Sequence, residues 1–544
     1  MRIKNIVLSI LMLVFYKIDA QEVSWVISAS GNTNYIYNDI ETKGFSIESD
    51  ENSIYNAEAA YGNVLRIDEG YYNIEEGADS HLITLDKNGN YKWIFDLRED
   101  GVSYDIAINS LNAIYVAGGS YIEKLDTAGN LLHTKELFEN NMLGCVIKSI
   151  TIDNDNSIIV GGFFLGLNEY IDIEDTSVYL PYNHSAFLMV YDNNYEFKWI
   201  SIIEADSEIM DIKADNDNNI YVVGVFTGDS LNWEDNYISS NNEVLPNGDI
   251  HYQQDVLFAK ITPDRKISWL KTFGGIDNDF GNKIVLNNSG EVLLTGAVYK
   301  DLIIEGDILT SNYKSMLIAK YNLEGEYKWA KLIGETTNYW DTGRSIEVDD
   351  EDNIIVAGQI GGFGVFGEGE NTVIVNNSYS DFPMGFVAKF DKEGDFLWVK
   401  NTDGNTSSFY DLCIDESSNI FLTGSIHPDV TFDGNNIYPI ANDSYNIIVA
   451  KISQTATSID KKLKGNLSFN IFPNPSDGYL TINRGSNSEG HFNYDVYNLN
   501  GEIIKTGSLN ANESIIDLSN NSNGMYFIKF YCQDTFFTKR IIIK

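Results

Sequence analysis

Three aspartates, Asp105, Asp211 and Asp411, recur at one place in an internal repeat, where the first apolar run of a copy begins. Ser149, Lys283 and Ser345 take that place in other copies. If the first runs are strands lining one axis, the three carboxylates converge on one mouth. There they could hold a cation or act as general acid and base. Aspartates at strand ends more commonly cap the strand or hydrogen-bond a turn. A second set lies between the runs, where aromatic and acidic residues mix: Tyr179, Tyr182, Trp233, Glu234, Asp235, Tyr237, then His251, Tyr252, Tyr339, Trp340 and Asp341. Exposed Trp233, Tyr237 and Trp340 beside carboxylates would suit stacking on sugar rings and bonding of their hydroxyls. The competing use of such aromatics is packing of the loops themselves.

Other chemistry is weakly represented. Asp-rich turns such as Asp153-Asn154-Asp155-Asn156-Ser157 and Asp215-Asn216-Asp217-Asn218-Asn219 invite a Ca²⁺ reading. Neither supplies both the glycine at the sixth place and the glutamate at the twelfth that an EF-hand loop needs, whereas Asn and Asp stabilise hairpin turns unaided. The expectation is turn chemistry and no resident cofactor. The histidines, His81, His133, His184, His251, His427 and His491, are scattered without an HExxH, so a zinc hydrolase has no support. No G-x-S-x-G, phosphate loop or dinucleotide fingerprint occurs.

The element that must position these residues is a repeat seen most clearly at Lys283–Gly334. Four short runs of β-branched and aromatic residues are joined by turns at Asn288-Ser289-Gly290 and Asn322-Leu323-Glu324-Gly325. That pattern predicts a four-stranded antiparallel sheet. The second strand ends on or beside glycine, and is placed at 63–70, 112–119, 156–162, 218–224, 290–296, 352–358 and 418–424. The third often ends Ala-Lys. The fourth centres on Trp93, Trp199, Trp269, Trp329 and Trp398, with Leu132 in the second copy. The final copy lacks a fourth strand, and Glu22–Ser28, with Trp25 in the tryptophan position, is the segment that can supply it. An N-terminal strand completing the last sheet closes a ring and removes exposed edges. The expectation is all-β: a β-propeller of about seven four-stranded blades.

Asp217–Gly224 and Ala388–Trp398 resemble the bacterial seven-bladed propeller repeats written D-x-x-G-N-x-Y-V-x-G and A-K-x-D-x-x-G-x-x-x-W. The resemblance spans about residues 21–453 and implies a fold, since such propellers host many roles. Within a blade the short one-two and three-four turns share a face, and the long two-three and four-one connections share the other. Phe163–Ser185, Thr227–Gln254, Gly361–Pro383 and Ala29–Ser53 are the long ones and read as irregular loops, so their face is the expected working surface.

The remaining segments concern destination. Residues 1–20 read as a signal peptide: Arg2 and Lys4, an apolar Ile6–Tyr16, and small Ala20 before the cut. No later run is long enough to span a membrane. Residues 454–467 read as a polar linker. In 468–544, Phe472-Pro473-Asn474-Pro475-Ser476-Asp477-Gly478 is followed by Tyr494–Glu502, which holds Gly501, by Gly524-Met525-Tyr526-Phe527-Ile528 and by the terminal Thr538–Lys544. Alternating strands with Pro and Gly turns predict a small β-sandwich. This order and spacing resemble the type A C-terminal sorting domain of type IX secretion, with Pro473, Asn474, Pro475, Gly478, Gly501, Gly524 and Tyr526 on its motif. The resemblance implies export from a Gram-negative cell, with the type IX machinery as partner, and display on the outer-membrane surface or release.

Net charge is -42, from 37 Lys+Arg against 79 Asp+Glu. From Ser468 onward basic and acidic residues nearly balance, so the acidity belongs to the repeat region. Such a field repels nucleic acid and anionic membranes. The cysteines Cys145, Cys413 and Cys532 are widely spaced and form neither a disulfide framework nor a CxxC metal site. The expected function is a non-catalytic binding or adhesion module for a glycan or surface protein. The alternatives are an extracellular polysaccharide hydrolase or lyase with carboxylates at the mouth, and a purely structural surface component.

Overall fold

Runs rich in Val, Ile, Tyr and Phe, cut every few residues by Asn, Asp and Gly, can bury their apolar area only as short strands. The computed structural model describes residues 20–31 and 43–59, strands at 64–67 and 70–73, most of 80–455 and most of 469–544. It leaves out, among others, 99–103, 138–143, 245–249, 335–340, 438–444 and 456–468. The described residues are all-β, in many small antiparallel sheets without a helix. By contacts the chain divides into two compact units, Val23–Ser453 and a second comprising Met1–Glu22 with Gln454–Lys544.

In the larger unit one sheet plan recurs. The first strands are Lys43–Ser49, Tyr104–Ile108, Gly144–Ile152, Glu204–Ala214, Phe280–Leu286, Thr342–Val348 and Ser407–Ile414, which begin sheets 1 to 7. In sheets 1 to 6 the strands pair in chain order or its reverse. In sheet 7 the order is Ser407–Ile414, Ile420–Ile426, Asn446–Thr455 and then Ala20–Gly31, so the N-terminal strand takes the fourth place.

In several sheets the repeated tryptophan is a latch to the next sheet, whereas Trp398 Nε1 of sheet 6 is buried without a hydrogen-bond partner. Trp93 of sheet 1 donates Nε1–H to Thr127 O at 3.1 Å in the three-four turn of sheet 2, and Trp269 of sheet 4 donates to Leu323 O of sheet 5 at 3.1 Å. The Ala-Lys lysine reaches the same turn: Lys260 Nζ lies 3.0 Å from Leu323 O and Lys320 Nζ 2.9 Å from Lys392 O. The indole lies so close under the turn that a Cβ on Gly325, at φ +80°, would sit 2.9 Å from Trp269. Sheet 7 follows the rule across the chain's length. Both Trp25 Nε1 (3.4 Å) and Lys451 Nζ (3.1 Å) bond to Lys87 O in the three-four turn of sheet 1.

The second-strand glycine has a separate cause. The first strand carries a β-bulge, seen as register shifts at Ile147/Ser149, Ile209/Asp211, Gly281/Lys283, Gly343/Ser345 and Phe409/Asp411. The bulge presses a carbonyl against the neighbouring strand: a Cβ on Gly224 would meet Glu208 O at 2.1 Å, and one on Gly296 would meet Phe280 O at 1.8 Å. Only glycine leaves room for the bulge, and the bulge re-aims the next side chain.

Two sequence expectations need correction. The second strand of the first sheet is Ser53–Ala59, not 63–70, and its first strand is Lys43–Ser49, inside what read as a loop. Ser53–Ala59 carries Asn56 and Glu58 and lacks the terminal glycine, which instead stands in the first strand as Gly44, so the consensus passed over it. Val64–Ile67 pairs instead with the N-terminal strand (Ala29 opposite Ile67) and extends sheet 7. The long connections are also not irregular: they fold into hairpins such as Glu169–Ile173 with Thr176–Leu180 and Phe363–Phe366 with Val373–Asn376. Several lean on the sheet before them, as Val430–Phe432 does on the fourth strand of sheet 6.

The smaller unit has a three-stranded sheet of Phe469–Phe472, Tyr479–Arg484 and Glu513–Asp517. Its second sheet, of four strands, ends in Gly524–Cys532 and Thr535–Ile543. Leu480, Ile482, Val496, Ile516, Ile528 and Ile541 share one buried core. Gly478 (φ +106°) would place a Cβ 2.5 Å from Ser519 Cα, and Tyr526 donates its hydroxyl to Ser522 O at 2.6 Å. Pro473 is exposed and Gly524 lies at a strand start. Asn474, Pro475 and Gly501 lie outside the described residues, as do residues 1–19 of the expected signal peptide.

Candidate functional site

The bulged first strands bring Asp105, Asp211 and Asp411 together, with Ser149, Lys283 and Ser345 as the sequence aligned them and with Ser46 of sheet 1 added. The group is a closed belt rather than an open acidic mouth. Lys283 Nζ lies 3.6, 3.8 and 3.7 Å from carboxylate oxygens of Asp105, Asp211 and Asp411. Ser46 Oγ is 3.0 Å from both Asp105 and Asp411, Ser149 Oγ is 2.9 Å from Asp105 and 2.8 Å from Asp211, and Ser345 donates to Asp411 at 2.7 Å.

Backbone completes the belt. Asp105 accepts the Ile150 N–H at 3.0 Å, Asp211 that of Ile284 at 2.9 Å and Asp411 that of Ile47 at 3.0 Å. Ser149 and Ser345 accept those of Ile212 and Leu412, each at 3.2 Å. The aspartates and serines thus each tie their sheet to the next, the Asp411 bond ties sheet 7 to sheet 1, and Lys283 reaches across to sheets 2, 4 and 7. Burial would lower the lysine's proton affinity, but the three carboxylates outweigh it and hold Lys283 well above its ordinary value. For Asp105, burial is outweighed by Lys283 and Lys213, which hold the carboxyl below the usual range; for Asp211, burial with the nearby Asp105 charge prevails and raises it. Among the described residues no group of three or more His, Cys, Asp or Glu is arranged to hold a metal.

The Asp-rich turns also satisfy themselves. Asp153 Oδ1 accepts the Asp155 and Ser157 N–H groups at 2.9 and 2.7 Å, and Asp215 Oδ1 accepts those of Asp217 and Asn219 at 2.9 Å each.

The aromatic candidates separate. Trp233 is 1% exposed, sits in the core of sheets 3 and 4 and donates Nε1–H to Ser201 at 2.8 Å, so it offers no face to a ligand. It reads as a loop residue, but the strand Ile220–Trp233 continues through it and folds it inward. Tyr237 is 72% exposed. Trp340 lies outside the described residues.

Two cavities flank the belt. The larger, about 740 Å³, opens among the short one-two turns and is lined by Glu48, Asp50, Lys87, Lys213, Asp415 and Glu416, among others. Burial raises Glu48 to about 7, as it does Glu347 beside Lys213, with Lys213 pulling both down in part. No sequence expectation singled out Glu48, Lys213 or Glu347. Their signal is the period of two, each standing two residues beyond a belt residue. The smaller cavity, about 430 Å³, lies between sheets 5 and 6 on the side of the long connections, with Lys314 and Arg344 in its wall.

Residues 470–544 match the secretion system C-terminal sorting domain. A WD repeat-containing protein of Acanthamoeba polyphaga mimivirus is 23% identical over 290 residues, 47% of this chain and 20% of that protein, so the chain spans about a fifth of that relative's length. Among solved structures, a protein of unknown function from Bacteroides caccae is 11% identical, with 59% of this chain and 89% of that one covered and a TM-score of 0.34. The extracellular domain of a putative one component system from B. thetaiotaomicron is 11% identical over 92% and 85% of the two chains, with a TM-score of 0.19. Plexin A4's extracellular region is 8% identical over 80% and 66%, with a TM-score of 0.29. Among the described residues no helix is long and apolar enough to cross a membrane. The sorting domain at 470–544 makes this an exported protein, at the cell surface or outside the cell, that engages the type IX secretion machinery through its C-terminal domain.

Proposed function

We propose that residues 21–453 form a seven-bladed β-propeller closed by the N-terminal strand, and that it serves outside the cell as a non-catalytic binding module working through the face of its long connections. Residues 1–20 are then the signal peptide, 454–467 a linker, and 468–544 a small β-sandwich. The ring reading is supported by the belt and latch bonds that run from sheet 7 to sheet 1 in the same form as between other neighbours. The observation that carries the non-catalytic reading is the state of the three aspartates: each is bonded to backbone N–H and serine and paired with Lys283, which leaves scaffold chemistry and little room for a substrate. The test is a glycan array and a polysaccharide-degradation screen of the secreted protein. Binding without turnover is expected; turnover abolished by D211N in a folded protein overturns the reading.

A catalytic reading has one observation in its favour. Glu48 and Glu347, half-buried with proton affinities near neutral, suit a general acid and base in the axial region. Turnover lost in E48Q or E347Q would establish it.

A further inference from the structure

In a chain of net charge -42, two cations face one cavity whose lining holds no carboxylate. Arg344 is the extra residue of the sheet 6 bulge, turned off the axis by the register shift between Gly343 and Ser345. Its guanidinium lies 4.6 Å from the Tyr410 ring, it reaches Gln359 Oε1 only through a long 3.5 Å contact, and its buried Nε has no hydrogen-bond partner. Lys314 begins the third strand of sheet 5, with Nζ 5.1 Å from the Tyr299 ring centre and 5.6 Å from that of Phe280. Among the described residues neither cation is within ion-pair distance of a carboxylate. The acid whose charge acts on Lys314, Asp341, accepts the Gly361 N–H on one oxygen at 2.9 Å.

Burial and the Arg344 charge lower Lys314 to about 8, against the weaker opposite pull of Asp341. Lys283 is the contrast: it too is largely withdrawn from solvent, but three carboxylates hold it. Two desolvated cations side by side are destabilising unless something anionic completes them. The remaining wall has amide and hydroxyl groups from Asn282, Gln359 and Thr342 beside the Phe280 and Tyr299 rings. Apolar faces with a few convergent polar groups suit a hydroxylated ring. Outside the groove the acidic field opposes a polyanion, which favours a ligand with one negative charge.

We propose that this groove binds a carboxylate carried on a hydroxylated ring, a uronic acid unit of a glycan, with Lys314 and Arg344 taking the carboxylate. The inference rests on the binding reading of the long-connection face and names the ligand class there.

The test is calorimetric titration of the full secreted protein with D-glucuronate, D-glucose, acetate and an acidic dipeptide at constant ionic strength. Glucuronate is expected to bind, with glucose, acetate and the dipeptide weaker by about ten-fold or more. K314M and R344M should each weaken glucuronate by about ten-fold or more. Binding should also fall as pH rises through about 8, as Lys314 loses its proton. K314M removes a half-buried cation that has no ion pair among the described residues and faces the Arg344 charge, so its melting temperature at pH 7 should rise, which separates loss of binding from loss of fold. Absence of glucuronate binding, equal binding of any comparison ligand, or affinity unchanged in K314M overturns the inference. A neutral glycan whose binding ignores K314M would overturn it too, while leaving the broader binding reading intact.

Discussion

Replacing Lys283 with methionine removes one charge from a belt that contains three carboxylates. At an effective dielectric near 20, each pair at this separation attracts by roughly 4 kcal/mol, or roughly 12 kcal/mol gross. The protein will not lose that much, because a cheaper route exists. Placing a proton at pH 7 on an aspartate whose free value is near 3.9 costs about 4 kcal/mol. The other two carboxylates keep their serine and backbone N–H bonds, and the methionine is easily desolvated. We expect K283M to cost about 4 kcal/mol at pH 7. Its folded state then holds a proton that its unfolded state releases above about pH 4. Its stability relative to wild type therefore falls by about 1.4 kcal/mol per pH unit between about 4 and 7, and the difference nearly vanishes at the acid end. Urea unfolding of both proteins across that range, with unchanged m-values, measures this. A loss that is the same at every pH, or below about 1 kcal/mol at pH 7, would refute the belt as an electrostatic unit.

Three further outcomes follow from the same geometry. Trp25→Ala, which removes a half-buried latch, should cost about 3 kcal/mol by urea unfolding, and a loss under about 1 kcal/mol would mean that the latch is idle. Gly325→Ala forces a left-handed residue and crowds Trp269, and should lower stability by about 1–3 kcal/mol, whereas Gly306→Ala, also at positive φ but with nothing within 4 Å of its Cβ, should cost less. Because Glu48 and Glu347 sit near 7 when folded, wild-type stability should fall as pH rises from about 4.5 to 7, where the unfolded chain ionises and the folded one does not. The double variant E48Q/E347Q should flatten that slope in thermal melts.

Much of this was legible because the repeat writes its geometry into residue types. The tryptophan, the Ala-Lys lysine and the turn glycine mark one latch, and the second-strand glycine marks the bulge. The alignment of Asp105, Asp211 and Asp411 with Ser149, Lys283 and Ser345 identified six members of the belt. It did not show that Lys283 neutralises them, because spacing gives position and not the charge balance of a closed group. Ser46 was hidden since sheet 1 carries its glycine in the first strand rather than the second. Trp233 read as a rim residue because nothing local tells a strand that continues from a loop that turns away. Arg344, Asn282 and Tyr410 had a signal that went unused: each immediately precedes a belt residue, and the bulge sends it elsewhere.

The bond between Ser24 and Ser453 spans 429 positions, and Trp25 and Lys451 meet on a single carbonyl. The segment that leaves the ribosome early therefore has no partner until nearly the whole repeat region has been made. Until then that early strand offers its bare edge to any passing strand, and closing so large a loop is slow.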